Sequence, residues 1–256
     1  MAAPKKAAPK AEKTMVVQGL TANRVVVWLL GTSAVILHAM SAKAGQSLLI
    51  GGGKKTKAEK VDIKHHPYEE YRASAYTHDS DDTRLCFPAG GLRKAISTAA
   101  LETGGTTKSQ VQRIMWIDEY NVPIWGVPQI YMAVVRNSDM ARTPDVRTRC
   151  IVQQWCTRFT INYITPTLNE GTVAQLIGNA GLVVGIGDNR QEKGAGSNGQ
   201  FTIVKPDDPR VVKLLKDGGT KVQDDALADP APYDKETVQF LSYYNNEVAR
   251  RKGGAA

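Results

Sequence analysis

Between Trp155 and Tyr163 apolar and polar positions alternate with a period of two. Trp155, Phe159, Ile161 and Tyr163 fall on one side, and Cys156, Arg158, Thr160 and Asn162 on the other. That pattern predicts a strand with one buried and one wet or ligand-facing side. The valine-rich run Arg24 to Leu30 predicts a second, more deeply buried strand. Val111 to Ile117, Ile130 to Val135 and Gln200 to Val204 read as further strands. Helical spacing appears in three places. Ala89 to Leu101 carries Leu92 and Ile96 among alanines and stops at Gly104-Gly105. A second helix starts at an Asn169 or Thr167 cap and runs to Asn179, with Val173, Leu176 and Ile177 facing inward. A third spans Lys235 to Lys252, with Val238, Leu241, Tyr244 and Val248 on one face. His38 to Leu49 reads as a short helix.

The order strand, helix, strand, strand, helix, strand predicts an α+β fold with a ferredoxin-like (RRM-like) core and insertions. Residues 1–14, with Lys5, Lys6, Lys10 and Lys13 among alanines and prolines, read as a disordered basic tail. The core extends over 15–204. An insertion around 51–83 begins with the basic loop Gly51 to Lys57, which holds Lys54 and Lys55, and has few apolar residues thereafter. Residues 205–232, rich in Asp, Pro and Gly, read as a linker to the C-terminal amphipathic helix, the whole covering 205–256.

The net charge of +8 over 256 residues favours a polyanionic partner. The three cysteines, Cys86, Cys150 and Cys156, have no metal spacing and are odd in number, so a reducing compartment is expected, the cytoplasm of a bacterial host cell. The longest apolar stretch, Val25 to Ala39, is interrupted by Gly31, Thr32, Ser33 and His38 and is too short for a bilayer span. No membrane association is expected.

Enzyme signatures are approached and missed. Gly53-Lys54-Lys55-Thr56 has a second lysine where a P-loop needs Ser or Thr at once after Gly-Lys. Ala195-Gly196-Ser197-Asn198-Gly199 lacks the first glycine of a nucleophile elbow. His38, His65, His66 and His78 have no ligand or carboxylate at metal spacing, and the acidic run Asp79, Asp81, Asp82 reads as a solvated turn. The chain is therefore expected to be non-enzymatic, with no cofactor and no metal.

Two glycine segments point to phosphate instead. Gly185 to Gly199 holds five glycines in fifteen residues, Gly185, Gly187 and Gly194 among them, together with Arg190 and Lys193. Bare amides beside cations suit anionic oxygens. Phe87-Pro88-Ala89-Gly90-Gly91-Leu92-Arg93-Lys94 puts small residues and two cations at a helix entrance. Arg147 and Arg149 share a parity and are placed toward a ligand groove. Arg158 sits on the wet side of its strand, while Trp155, Phe159 and Tyr163 are placed in the core.

On these two segments the chain resembles the RAMP superfamily, the RNA-binding subunits that form the backbone of CRISPR effector complexes. Pro88-Ala89-Gly90-Gly91-Leu92-Arg93-Lys94 is similar to that superfamily's turn into its first long helix, and Gly185 to Gly199 matches its glycine-rich loop before the last strand. The similarity covers about residues 24 to 204; the superfamily's Ser-Ser pair and the aromatic of its last loop are missing here. The chain also looks like small phage-encoded proteins with the Gly-Ile-Gly-Asp-x-Arg-x-x-Lys-Gly pattern, which makes a phage single-strand binder an equal expectation beside a CRISPR subunit. The resemblance implies a core that grips a single strand by its backbone and assembles head to tail along it. The expected function is thus largely sequence-independent coating of single-stranded DNA or RNA by a homo-oligomer or filament. The alternative is a self-assembling virion or shell protein whose basic surface is incidental.

Overall fold

The computed structural model describes residues 18–41, 45, 49, 63–136, 142–193 and 196–253. The basic tail, Lys54 and Lys55, and half of the residues of the helix expected over His38 to Leu49 lie outside them.

The central pair is β1 (Thr21–Gly31) and β8 (Cys156–Thr165), antiparallel along nearly their whole length, from Thr21↔Thr165 to Leu30↔Cys156. β9 (Phe201–Val204) joins the free edge of β1. The outer edge of β8 is shared by two short strands. β4 (Met115–Ile117) pairs with Ile161 to Tyr163, and β5 (Asn121–Trp125) pairs with Cys156 and Thr157. Between them Glu119 bends the chain away. Its carboxylate oxygens each accept the Thr160 N–H at 3.0 Å, which satisfies a ladder donor the broken strand would have taken. β3 (Cys86–Pro88) closes the far side on β5. The resulting order is β3, β5, β8, β1, β9, with β4 beside β8, and every pairing is antiparallel.

Three of these strands continue past a bend into a second sheet. β1 leads to β2 (Val35–Leu37), β5 to β6 (Pro128–Arg136), and β7 (Pro144–Val152) precedes β8. The order β2, β7, β6 repeats that of β1, β8, β5. Glycines permit the bend. A Cβ on Gly31 would stand 2.2 Å from the Trp155 indole nitrogen, and Gly126, at φ +144°, lies against the Gln154 carbonyl. Trp155 itself is fully buried and donates its indole N–H to the Ser33 carbonyl at 2.8 Å.

Helices cover one face of the first sheet. α2 (Ala89–Thr103) contributes Leu92, Ala95, Ile96 and Ala99, and α4 (Glu170–Asn179) contributes Val173, Leu176 and Ile177, to a core shared with Val27, Leu29, Phe159 and Ile161. The aromatics of the β8 alternation lie inside as expected, but the side expected to be wet is buried at Cys156, Thr160 and Asn162, and only Arg158 on it is exposed. The core also takes in Val35, Leu37, Ile130, Met132, Cys150 and Val152 of the second sheet, so both sheets share one interior.

Several expectations are corrected. Residues 108–114 form a helix, α3 (Lys108–Ile114), rather than the start of a strand. Thr107 and Gln110 make a reciprocal capping box, a local signal outweighing the β-branched run behind it. Ile130 to Val135 is a strand of the second sheet, so the third strand of the main sheet is β8. The polar stretch before Asp82 holds α1 (Pro67–Ser74), anchored by the fully buried Tyr71, and is part of the packed body rather than an excursion. Residues 205–232 are not a linker: they hold α5 (Pro209–Asp217) and α6 (Thr220–Ala228). Asp208 caps α5 on the Arg210 N–H, with Pro209 in the first turn, so the Asp and Pro that read as linker chemistry are helix-start chemistry. In α7 (Lys235–Gly253) Leu241 is buried as expected, but Thr237 takes the inward place given to Val238. The Thr237 hydroxyl accepts the Met132 N–H at the edge of β6, which explains why a polar residue is preferred there.

Candidate nucleic-acid interface

The second face of the first sheet, away from α2 and α4, is exposed only in part: Arg24, Val26 and Arg158 are exposed, whereas Cys156, Thr160 and Asn162 of β8 are buried. Antiparallel register sets Arg24, Val26 and Trp28 of β1 against Asn162, Thr160 and Arg158 of β8. Val26 is 54% exposed, an unusual position for a valine in a central strand. The Arg158 guanidinium lies 5.9 Å from the Trp28 ring centroid, and Trp28 stacks on Trp125 at 5.8 Å with 30° between the planes. Arg158 makes no ion pair among the described residues, and Arg24 reaches only a loose one, 3.8 Å from Asp118. α5 covers the end of this face, laying Val211, Leu214 and Leu215 over Leu30, Trp125 and Cys156. Between the sheet and α5–α6 opens a cleft of about 1140 Å³. Its walls mix Lys216 and Lys221 with Asp81, Asp82, Asp224 and Asp225, so phosphate is favoured on the Arg24–Arg158 side and disfavoured at the acidic wall.

Arg147 and Arg149 do share a face, on β7. Arg149 is opposite Tyr131, and Arg147 is opposite Ala133 of β6. Tyr131 meets Tyr233 edge to face at 5.6 Å. Arg149 is largely buried and held. It donates to the Thr148 carbonyl at 2.8 Å, lies 3.1 Å from His38 Nε2, and its Nε is 3.7 Å from Asp188. Burial pulls its pKa below the usual guanidinium value, against the Asp188 charge. A guanidinium can only donate, so His38 Nε2 accepts and the ring proton sits on Nδ1, 3.2 Å from Asp188. The His38 hydrogen bond holds the Asp188 carboxyl well below the ordinary range, helped by the Asn189 N–H at 2.9 Å and the charge of Arg149. A second histidine, His65, lies 2.9 Å from Glu70 and 3.0 Å from Asp145.

The glycine-rich loop is explained from within the protein. Gly185, Gly187 and Gly199 have φ between +71° and +82°. Added Cβ atoms would stand 2.5 Å from the Ile36 carbonyl at Gly187 and 1.7 Å from the Ile186 carbonyl at Gly199. Several of the loop's amides are already used within the protein. Gly185 donates to Ala180, Ile186 to Gly199, Asp188 to Ile36 and Gly199 to Ala34. Arg190 donates to the Gly187 carbonyl at 2.8 Å and to Glu192 at 2.8 and 3.0 Å, which makes it a clasp within the loop. Gly194 and the side chain of Lys193 lie outside the described residues. At the helix entrance Gly91 is required because the Phe87 ring lies 2.9 Å from its would-be Cβ, whereas Gly90 faces open space. Arg93 is bonded to the Gln112 carbonyl of α3, and Lys94 beside it is exposed.

The proposed cations are therefore not one patch. Arg158 is on the first sheet, Arg147 and Arg149 are on the second beside the Arg190 loop, and Arg93 ties two helices together. Sequence reasoning missed Trp28 and Trp125. Trp28 shares the parity of Arg24 on β1, but only the β1–β8 register shows that it faces Arg158. Among the described residues no three His, Cys, Asp or Glu side chains are grouped to hold a metal ion. All three cysteines are buried and unpaired, and burial pushes the Cys86 thiol up to about 11 and Cys156 up to about 12. No described helix is long and apolar enough to cross a membrane.

No family model matches the chain, and no curated protein does. Among solved structures it is similar to a chain in the "Cryo-EM structure of the Type III-B Cmr-beta bound to cognate target RNA", at 16% identity and a TM-score of 0.37. The match covers 72% of this chain and 59% of that one, so this chain spans less than two thirds of the length of the structure it matches.

Proposed function

We propose that this protein binds single-stranded nucleic acid, DNA or RNA, through its backbone, with little dependence on sequence and without catalysis, and assembles along the strand. The observation that carries this reading is the partly exposed sheet face on which Arg158, free of carboxylate partners among the described residues, lies over Trp28 beside Trp125. A partly buried indole gives a base an edge to stack on, and an unpaired guanidinium gives the adjoining phosphate a fork. The order β9, β1, β8, β4/β5 with α2 and α4 on one face supports a ferredoxin-like core, a plan in which bases stack on the bare face of the sheet. Titrating poly-dT, poly-U and mixed-sequence strands at two salt concentrations tests the reading. Binding should weaken steeply with salt and vary little with sequence; absent or salt-independent binding overturns it.

A second reading, a self-assembling structural protein, is favoured by one feature. β9 is the sheet edge and carries exposed Ile203, and exposed Leu182 and Val183 lie on the π-helical turn that follows α4. Oligomer size measured with and without a strand separates the two, since a shell protein assembles in its absence.

A further inference from the structure

Where the three strands bend from one sheet into the other, a pocket of about 570 Å³ opens between the bend and α5. Its floor is apolar, from Leu30, Val127 and Leu214. Three carboxamides line it: Gln129 at the start of β6, and Gln153 and Gln154 in the turn between β7 and β8. None of the three side chains makes a hydrogen bond among the described residues, although glutamines supply most of the polar groups on the strand side. The opposite wall is α5, which presents Arg210, Lys213 and Asp217. Arg210 is held by Asp208 through contacts of 2.8 and 3.0 Å, so Lys213 is the cation left for a ligand. Asp217 makes no ion pair among the described residues.

We infer that this pocket binds a ribonucleotide. The chemistry of each wall carries the assignment. A primary amide offers a donor and an acceptor side by side, the complement of a nucleobase edge, and an apolar floor takes the flat of the ring. Lys213 supplies a point charge for the phosphate. Asp217 supplies acceptors for the two ribose hydroxyls, which a deoxyribose offers only in part. The volume falls within the range of small-ligand sites, roughly 300–1,000 Å³. The site is separate from the Trp28–Arg158 face: Leu214 and its neighbours on α5 stand between the pocket and the cleft. It deepens the nucleic-acid reading by adding a sugar-specific subsite, yet a free mononucleotide and a nucleotide of an RNA strand share the same chemistry.

Calorimetric titration of the full chain with ribonucleoside 5′-monophosphates, their nucleosides and their 2′-deoxy forms tests it directly. Saturable binding of one monophosphate per chain is expected. Gln153→Ala with Gln154→Ala, at exposed positions, should weaken it about tenfold or more with the melting temperature unchanged. Lys213→Ala should bring nucleotide and nucleoside to similar affinity, and Asp217→Asn should narrow the gap between ribose and deoxyribose. No binding at millimolar nucleotide, or binding indifferent to the glutamine pair, overturns the assignment. Repeating the glutamine variant with an RNA oligomer identifies the source. A parallel loss means the pocket takes a nucleotide of the strand, and an unchanged oligomer affinity means it takes the free nucleotide. Because mononucleotide binding is read without any strand, failure of strand binding on the open sheet face would leave this result standing.

Discussion

Trp28 and Arg158 are direct cross-strand partners, and the guanidinium of one lies 5.9 Å from the ring centre of the other. The pair differs from the other arginines in what a ligand must displace. Arg149 and Arg190 already face Asp188 and Glu192, so a phosphate would have to replace a carboxylate. Arg158 leaves only an indole, a contact of about 0.5–1 kcal/mol at an exposed site. That difference ranks Arg158 first among the cations for strand binding.

Arg158→Ala should therefore reduce affinity for a single strand and lower the slope of log affinity against log salt by about one. Trp28→Ala should cost about 1–3 kcal/mol of binding, the range for one lost base-stacking platform. Arg158→Ala should leave stability within about 0.5 kcal/mol of the parent, being an exposed change. Fluorescence anisotropy with labelled oligonucleotide at several salt concentrations reads both effects. Parent-like slopes in Arg158→Ala would move the interface elsewhere.

The glycine loop is expected to respond through stability. Gly199→Ala forces a side chain into φ +71° and against the Ile186 carbonyl, and should cost about 2 kcal/mol or more. Arg190→Ala removes the bonds to Gly187 and Glu192 and should lower the melting temperature, with strand affinity falling no further than that loosening explains. Urea unfolding and strand titration on the same samples make the comparison. A folded, fully stable Arg190→Ala that binds clearly less well would restore the loop as a phosphate site.

These cases show what was legible in the chain. The alternation of β8, the valine run of β1 and the helices α2 and α4 were readable because each buries one periodic face, and periodicity is a local property. The second sheet was not, because β1, β5 and β8 cross the bend at Gly31, Gly126 and Gln153–Gln154, and nothing local tells a bend from a loop. The exposure of Arg158 was readable from the alternation, but the burial of Cys156, Thr160 and Asn162 on the same side was not, and its partner Trp28 is 130 residues away and is joined to it only by register. The loop glycines were noticed for the right reason, close approach of backbone, while the approaching group is the protein's own carbonyl rather than a phosphate.

Acid should weaken the fold partly through Asp188. Its carboxyl is held low in the folded protein, first by His38 and then by the Asn189 N–H and Arg149, whereas in the unfolded chain it takes a proton near pH 4, the usual aspartate value. The stabilisation is thus present above about pH 4 and is lost as pH falls through the folded value. Asp188→Asn should be less stable than the parent near neutrality, and the gap should shrink as the pH is lowered. Urea midpoints at pH 7 and in acid check this. A gap that stays constant would mean that the carboxylate charge contributes nothing.

Gln223 offers the sharpest test of whether residues 205–232 belong to the folded body. It is fully buried on α6, and its amide is used to capacity. Oε1 accepts the N–H groups of Arg84 at 2.7 Å and Leu85 at 2.8 Å. Nε2 lies 2.7, 3.0 and 2.8 Å from the carbonyl oxygens of Ile124, Gly126 and Gly218. One side chain thereby ties α6 to the entry of β3, the end of β5 and the bend. Gln223→Leu keeps the volume roughly but leaves two buried donors without an acceptor, each costing about 1–3 kcal/mol. The expected loss is about 3–5 kcal/mol, read as a lowered urea midpoint. Gln223→Glu is the informative companion: its carboxylate can still accept from Arg84 and Leu85 but turns an oxygen toward three carbonyls, so it too should destabilise. If residues 205–232 were a linker, both changes would sit within about 0.5 kcal/mol of the parent, as surface substitutions do. That result would detach α5 and α6 from the core, and with them the wall of the pocket at the bend.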